Sequence, residues 1–473
     1  MRFQRINTCK ECSQHSTTCN GKNLCNPARQ KLRTYNGIRF TADGFDCALP
    51  VTIDSHSVCS FGCKYCFAQN LMSLREKNMK PIGQTSLKKI DRIFSGKDQS
   101  KDANLIRQAL KYNNKKNGYP CPIQLGGVCD PLDNIERQQG WFLKFVELCK
   151  KYNQPCKIST KGNLFLEEEY LDALKDRPEL FYVMYSIITV DDKIIKKVEP
   201  RSPTATERIQ CLKNLNDINV KTALRFRPIL PGISDATKKH PKAYKELIQK
   251  CAEAGVNSIS YEVAFLPGRM TNEVKKKWQQ IEKISGKPLI SIYKSMGKNE
   301  ACFRPSYKWT EQIMIAIYNE AKKYNLDIGV SDRLWKELTE CGCCCGLKES
   351  DPIFGNFQTE SCTNQLMLAK QTGKILKSED IIPDWSKNCL KEKLANPGVG
   401  PTVRYKRKHE TWADNLRRIW NEIERERSPY NYFQGVLIPC KKEGEEIYYK
   451  YKGLPRSNPK KTPFWNIEPI EEE

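Results

Sequence analysis

The chain has 473 residues and a formal net charge of +24, from 79 Lys and Arg against 55 Asp and Glu. Its 39% hydrophobic and 28% charged content suits a soluble globular protein of two or three domains. No apolar run reaches the ~18 residues of a membrane helix, and Met1-Arg2-Phe3-Gln4-Arg5 lacks an apolar signal core, so a cytoplasmic protein without a membrane partner is expected.

The charge excess favours a polyanionic partner, nucleic acid first, although a lysine-rich composition accounts for part of it. The 22 cysteines would be disulfides in an exported protein; nothing here directs export, so clustered cysteines read as metal ligands or redox groups. Residues 1–35 form a cysteine-rich head. Cys9 and Cys12 at C-x2-C spacing, then Cys19 and Cys25, are expected to close a second metal site, zinc or an auxiliary iron–sulfur cluster. So short a segment builds no core of its own, and metal would supply its folding energy.

Residues 36–335 read as one α/β body. Leu49–Ile53 is an apolar strand, followed by Cys59-Ser60-Phe61-Gly62-Cys63-Lys64-Tyr65-Cys66. Three thiols at C-x3-C-x2-C spacing, in a loop at the C-terminal end of a strand, can converge on one metal site. Structural zinc asks for a fourth ligand, whereas an iron–sulfur cluster held by three cysteines keeps one iron open. Further strands are predicted at Cys121–Leu125, Lys157–Thr160, Phe181–Ile187, Val220–Arg227 and Ser258–Val263, with amphipathic helices between them and an edge strand at Leu326–Val330. Alternation of this kind predicts a parallel sheet and a partial, open (β/α)6 barrel. Polar residues close its strands: Gly126, Gly127 and Asp130; Ser159, Thr160 and Lys161; Ser186; Arg225 and Arg227. Together they outline a mouth in which bare backbone, carboxylate and guanidinium groups meet a bound cofactor.

Beyond the barrel, residues 336–384 form a cysteine-rich linker segment. Cys341, Cys343, Cys344 and Cys345 are its densest run. Two of them, with Cys362 or the head cysteines, would make an auxiliary site; in another reading, Cys343 and the loop residue Cys302 act as hydrogen-atom donor or redox groups, and packed reduced thiols are the third reading. Residues 385–473 form a basic C-terminal region. Arg404, Arg407, Lys408, Arg417 and Arg418 alternate with aromatics, as stacking on bases beside phosphates requires. Trp412, Leu416, Ile419, Trp420 and Ile423 share one helical face, which favours packing instead.

The three-cysteine spacing, with Tyr65 before the last thiol, resembles the signature of the radical S-adenosylmethionine (SAM) superfamily. The runs Gly127-Val128-Cys129-Asp130-Pro131, Ser159-Thr160-Lys161, Ser186-Ile187-Ile188-Thr189, Val198-Glu199-Pro200-Arg201 with Arg208, and Arg225–Gly232 look like its spore photoproduct lyase-like branch, often labelled DNA repair photolyase. The resemblance implies a [4Fe–4S] cluster on Cys59, Cys63 and Cys66 beside Tyr65. It implies SAM, with its amino group on the Gly126-Gly127 turn and its carboxylate near Ser186 and Arg225. Glu199 and Arg201 would structure the mouth. The implied reaction is SAM cleavage to a 5′-deoxyadenosyl radical that takes a hydrogen atom from the substrate, fed by an electron donor such as flavodoxin or ferredoxin. A nucleic acid base is the expected substrate, for repair or modification. A peptide or small metabolite is the alternative within the enzyme class, and a non-catalytic, cysteine-rich nucleic-acid-binding metalloprotein is the rival outside it.

Overall fold

The computed structural model describes residues 33–41, 46–68, 82–112, 118–295, 298–299, 302–390, 410–425 and 427–453. The cysteine-rich head, with Cys9, Cys12, Cys19 and Cys25, lies outside the described residues, as do Arg404, Arg407 and Lys408.

Eight strands form one sheet: β1 (Ile38–Phe40), β2 (Val51–Ile53), β3 (Ile123–Leu125), β4 (Cys156–Thr160), β5 (Phe181–Ser186), β6 (Lys221–Ile229), β7 (Ser258–Val263) and β8 (Asp327–Val330). They lie side by side in chain order. β2 to β8 are parallel, and β1 runs antiparallel along β2. No pairing joins β8 to β1 among the described residues, so the barrel stays open. The partial barrel expected from the alternation is the fold found. Leu326–Val330, expected at an edge, supplies the seventh parallel strand.

Parallel strands are buried on both faces and read as continuous apolar runs, and all six residues of β5 are buried. The helices that return the chain are α1 (Leu87–Phe94), α2 (Lys101–Ala109), α3 (Trp141–Lys151), α4 (Glu168–Lys175), α5 (Asp192–Val198), α6 (Ala205–Asp217), α7 (Ala243–Glu253), α8 (Asn272–Ser285) and α9 (Tyr307–Lys323). Each long one buries an apolar stripe, as with Leu212 and Leu215 of α6 or Met314 and Ile317 of α9. The start of α6 is fixed by a capping box: the Glu207 backbone N–H donates to Thr204 Oγ1, and Glu207 accepts from the Thr204 N–H at 2.8 Å.

The opposite face of the sheet is polar. Side chains two apart on a strand share a face. Lys157 and Ser159, Arg225 and Arg227, and Ser258, Ser260 and Glu262 therefore line one concave surface. The chain after β8 folds back onto it. Arg227 Nη2 donates to the Cys344 carbonyl at 2.8 Å, and the Tyr182 hydroxyl to the Cys345 carbonyl at 2.7 Å. The close approach needs bare backbone on both sides, since a Cβ at Gly329 would sit 2.5 Å from the Gly346 nitrogen. Cys362 opens α10 (Cys362–Thr372), and α11 (Trp412–Asn421) buries Trp412, Leu416, Ile419 and Trp420. The packing reading of that aromatic face is the one its burial supports. Arg417 is paired with Glu379 at 2.7 Å and Arg418 with Glu410 at 2.7 Å.

Candidate active site

The three-cysteine loop leaves the C-terminal end of β2 and is held by its backbone. The Ser60 N–H donates to Asp133 Oδ2 at 2.7 Å, and the Lys64 N–H to the Val198 carbonyl at 3.0 Å. Between them Gly62 adopts a positive φ of 66°, and a Cβ there would lie 2.6 Å from Arg201 Nη2. The Tyr65 hydroxyl donates to Glu199, which is fully buried and ion-paired with Arg208, itself fully buried. Arg208 also donates to the Ser186 carbonyl at 2.7 Å and the Pro203 carbonyl at 2.6 Å. The carboxylate of Glu199 stays below its ordinary range: burial pushes it up, but Arg208 and Lys161 outweigh that.

Cys63 is buried, and Cys59 and Cys66 are partly exposed. A tight turn brings the last two together, the Cys66 N–H donating to the Cys63 carbonyl at 3.2 Å. Burial pushes Cys63 up to about 12 and Cys59 well above its usual value; Arg201 and Lys161 are the nearby cations. Three soft donors gathered where a thiolate is costly fit a cationic iron centre that keeps them deprotonated. Among the described residues, no three His, Cys, Asp or Glu side chains converge as the ligands of a single ion do. A multi-iron cluster takes each of three thiolates on its own iron, whereas a structural zinc ion asks for a fourth ligand.

The loop after β3 is built from inside. Asp54, at the end of β2, is fully buried, paired with Arg39, and accepts from the N–H groups of Gly127 at 2.7 Å and Val128 at 2.8 Å. A Cβ on Gly126 would come within 2.7 Å of the Ser159 carbonyl, and one on Gly127 within 2.4 Å of Arg39. Asp130 accepts from the Leu132 N–H at 3.0 Å, Thr160 Oγ1 at 2.7 Å and the Lys161 N–H at 2.6 Å. It ties β3 to β4 and aims Lys161, whose Nζ lies 5.8 Å from the Tyr65 ring centre. Asp133, pushed up to about 7 by burial, clamps the cysteine loop. Asp54, Arg39 and Asp133 were missed by sequence reasoning. The only local signal was that Asp54 follows an apolar strand directly.

The remaining expected residues sit along the concave face. Ser186 accepts from Arg225 Nη1 at 3.1 Å, and Ser159 from Lys157 Nζ at 2.7 Å. Cys343 is buried, with its thiol on the Leu347 carbonyl inside its own loop. Cys344 is the partly exposed member of that run. Cys302 is on a short strand paired with Leu266–Pro267; two residues on, Arg304 Nη1 donates to both Asp332 carboxylate oxygens, at 2.8 and 2.9 Å.

Residues 55–240 match the family model described as the radical SAM superfamily. The chain carries a radical SAM domain over those residues. It is a radical SAM enzyme, and the family's cofactors are a [4Fe–4S] cluster and SAM. An uncharacterized Mycobacterium tuberculosis protein is 21% identical over 264 residues, 55% of this chain and 72% of that one. An uncharacterized Acidianus two-tailed virus protein is 24% identical over 127 residues, 26% of this chain and 41% of that one. Among solved structures, spore photoproduct lyase complexed with dinucleoside spore photoproduct has a TM-score of 0.42 at 17% identity, covering 62% of this chain and 77% of that one. Streptococcus suis SuiB bound to S-adenosylmethionine has a TM-score of 0.37 at 13% identity, covering 60% and 51%. No helix among the described residues is long and apolar enough to cross a membrane.

Next to the cysteine loop, His56 is 1% exposed. Its Nδ1 lies 3.0 Å from Ser55 Oγ, and its Nε2 lies 3.2 Å from the Gln84 amide nitrogen. The Gln84 amide donates, so Nε2 accepts and Nδ1 carries the proton. Burial lowers its pKa from 6.5 to about 4. Between those values the unfolded chain takes the proton first. Stability is therefore full above pH 6.5 and falls as pH drops toward 4, by about 3 kcal/mol for so large a shift. Urea unfolding of cluster-free protein at pH 7 and pH 4.5 checks this: His56→Gln should lose clearly less stability on acidification than wild type, and equal losses refute the assignment.

Proposed function

We propose that this radical SAM enzyme acts on a nucleic acid base, repairing or modifying it. In this reading Cys59, Cys63 and Cys66 hold the cluster. When bound, the cofactors supply a 5′-deoxyadenosyl radical that removes a hydrogen atom from the substrate. Tyr65, fixed on Glu199, walls the cluster loop, and Arg201 and Lys161 offset its thiolate charge. The Gly126-Gly127 turn faces the SAM amino group. Its N–H groups at Gly127 and Val128 are taken by Asp54, so carbonyl oxygens are what it offers an ammonium. Arg225, set by Ser186, takes the SAM carboxylate.

The observation that carries the reading is the cation-lined concave face beneath the cysteine loop, where Lys157, Arg225 and Arg227 converge. A base within a duplex does not reach such a site, so the target is flipped out or single-stranded. An electron donor of the flavodoxin or ferredoxin kind and a cytoplasmic location complete the reading; the free thiols found at every described cysteine support a reducing compartment. The test is anaerobic reconstitution with iron and sulfide, reduction, and mass spectrometry of nucleosides after incubation with single-stranded DNA and RNA. A substrate-dependent rise in 5′-deoxyadenosine with a mass-shifted nucleoside is expected. SAM cleavage that no nucleic acid stimulates, with no altered nucleoside, overturns the substrate reading.

A further inference from the structure

Three cations share the concave face with neutral hydrogen-bond partners only. Lys157, 3% exposed, donates to Ser159 Oγ at 2.7 Å. Arg225 donates to Ser186 Oγ at 3.1 Å. Arg227 donates through Nη2 to Ser260 Oγ and to the Cys344 carbonyl, while its Nε is buried with no acceptor among the described residues. A fourth, Arg304, is matched by Asp332. The carboxylate facing Arg225 and Arg227 among the described residues is Glu262, two residues along β7 from Ser260. The thiols of Cys344 and Cys345 are also near. Their mutual hydrogen bond, and then burial, push Cys344 well above its usual value, so it brings no negative charge at neutral pH. Lys157 is buried and the two arginines are half-buried beside it; charges so placed are normally paired, and an array left cationic is completed by an anionic ligand.

The local pairing shows which side of the face is left without an anion. Glu262 stands beside Arg225 and Arg227, and the cofactor carboxylate assigned above pairs locally with Arg225, its ammonium lying away on the Gly126-Gly127 turn. Positive charge remains on the Arg227–Lys157 side. We propose that Arg227 and Lys157 bind a phosphate of the substrate, a phosphodiester whose negative charge meets the side of the face that has no carboxylate of its own. The inference rests on the nucleic-acid reading and names the residues that grip the backbone beside the target base. A guanidinium with free N–H groups and an ammonium suit an anion with several oxygens, since each can take its own. Anchoring the backbone there would leave the base free to turn toward the cysteine loop.

The reconstituted full chain is titrated with a single-stranded dinucleotide and with its uncharged methylphosphonate analogue, and inorganic phosphate is tested as a competitor. Wild type should bind the charged form about tenfold more tightly, phosphate should compete, and Arg227→Gln should remove the preference while Arg227→Lys keeps part of it. Equal binding of the two forms by wild type overturns the proposal. If neither dinucleotide binds but phosphate binds wild type and not Arg227→Gln, the anion site stands and the nucleic-acid reading falls. Phosphate that binds both proteins alike, or neither, overturns the site. Should Arg227→Gln fail to fold, Lys157→Met replaces it in the same comparison.

Discussion

Replacing Cys59, Cys63 or Cys66 singly with Ala is expected to abolish 5′-deoxyadenosine formation while leaving the barrel folded. A cluster on three thiolates does not survive the loss of one, because two ligands no longer fix it. The fold survives because the loop is anchored by groups other than sulfur: the Ser60 N–H on Asp133, the Lys64 N–H on the Val198 carbonyl, and the Tyr65 hydroxyl on Glu199. Cys59 and Cys66 are partly exposed, and at the buried Cys63 a single sulfur is lost, so thermal unfolding of the cluster-free proteins should shift by only a few degrees. Iron content, SAM cleavage after reduction and a melting curve check the three parts of the claim. Full cleavage in any one variant would show that its cysteine is not a ligand.

The cysteine loop and the order of the parallel strands were legible in the sequence because both are local. A C-x3-C-x2-C spacing and an apolar run carry their meaning within ten residues. What was not legible depends on residues far apart in the chain. Asp133 closes on Ser60 across 73 positions, and Asp54 caps the turn at Gly127 across the same separation. Neither carboxylate stands out beside its neighbours. β1 is three residues of mixed polarity, too short for any periodicity, and becomes a strand only because β2 offers an edge. Lys157 and Glu262 were read as parts of strands, and Arg227 as part of the mouth. Their inward direction follows from which face of the sheet the helices cover, and alternation alone does not say that. The basic stretch around Arg417 and Arg418 could be solvated or ligand-seeking from sequence alone; the carboxylates it meets, Glu379 and Glu410, stand 38 and 8 positions away.

The buried pair of Glu199 and Arg208 yields the largest stability effect. Arg208→Met leaves Glu199 without its main counter-charge in a fully desolvated place and is expected to cost about 3–5 kcal/mol. Glu199→Gln leaves the Arg208 charge buried, eased by the Ser186 and Pro203 carbonyls, and should cost less. The double variant should cost well below the sum, because neither charge then remains to be solvated. The pair also reaches the active site, since Glu199 accepts from Tyr65 and stands at the end of α5 next to the Val198 carbonyl that holds Lys64. Glu199→Gln should therefore loosen Tyr65 and slow SAM cleavage more than its modest loss of stability explains. The folded pKa of Glu199 lies below its unfolded value, so its stabilisation is present at neutral pH and is lost as pH falls through the folded value. Urea denaturation of the four proteins at pH 7, with 5′-deoxyadenosine yield measured on each, decides the matter. Strictly additive losses would mean that the two side chains are stabilised independently by their backbone partners, and that the ion pair is not what fixes Tyr65 beside the cysteines.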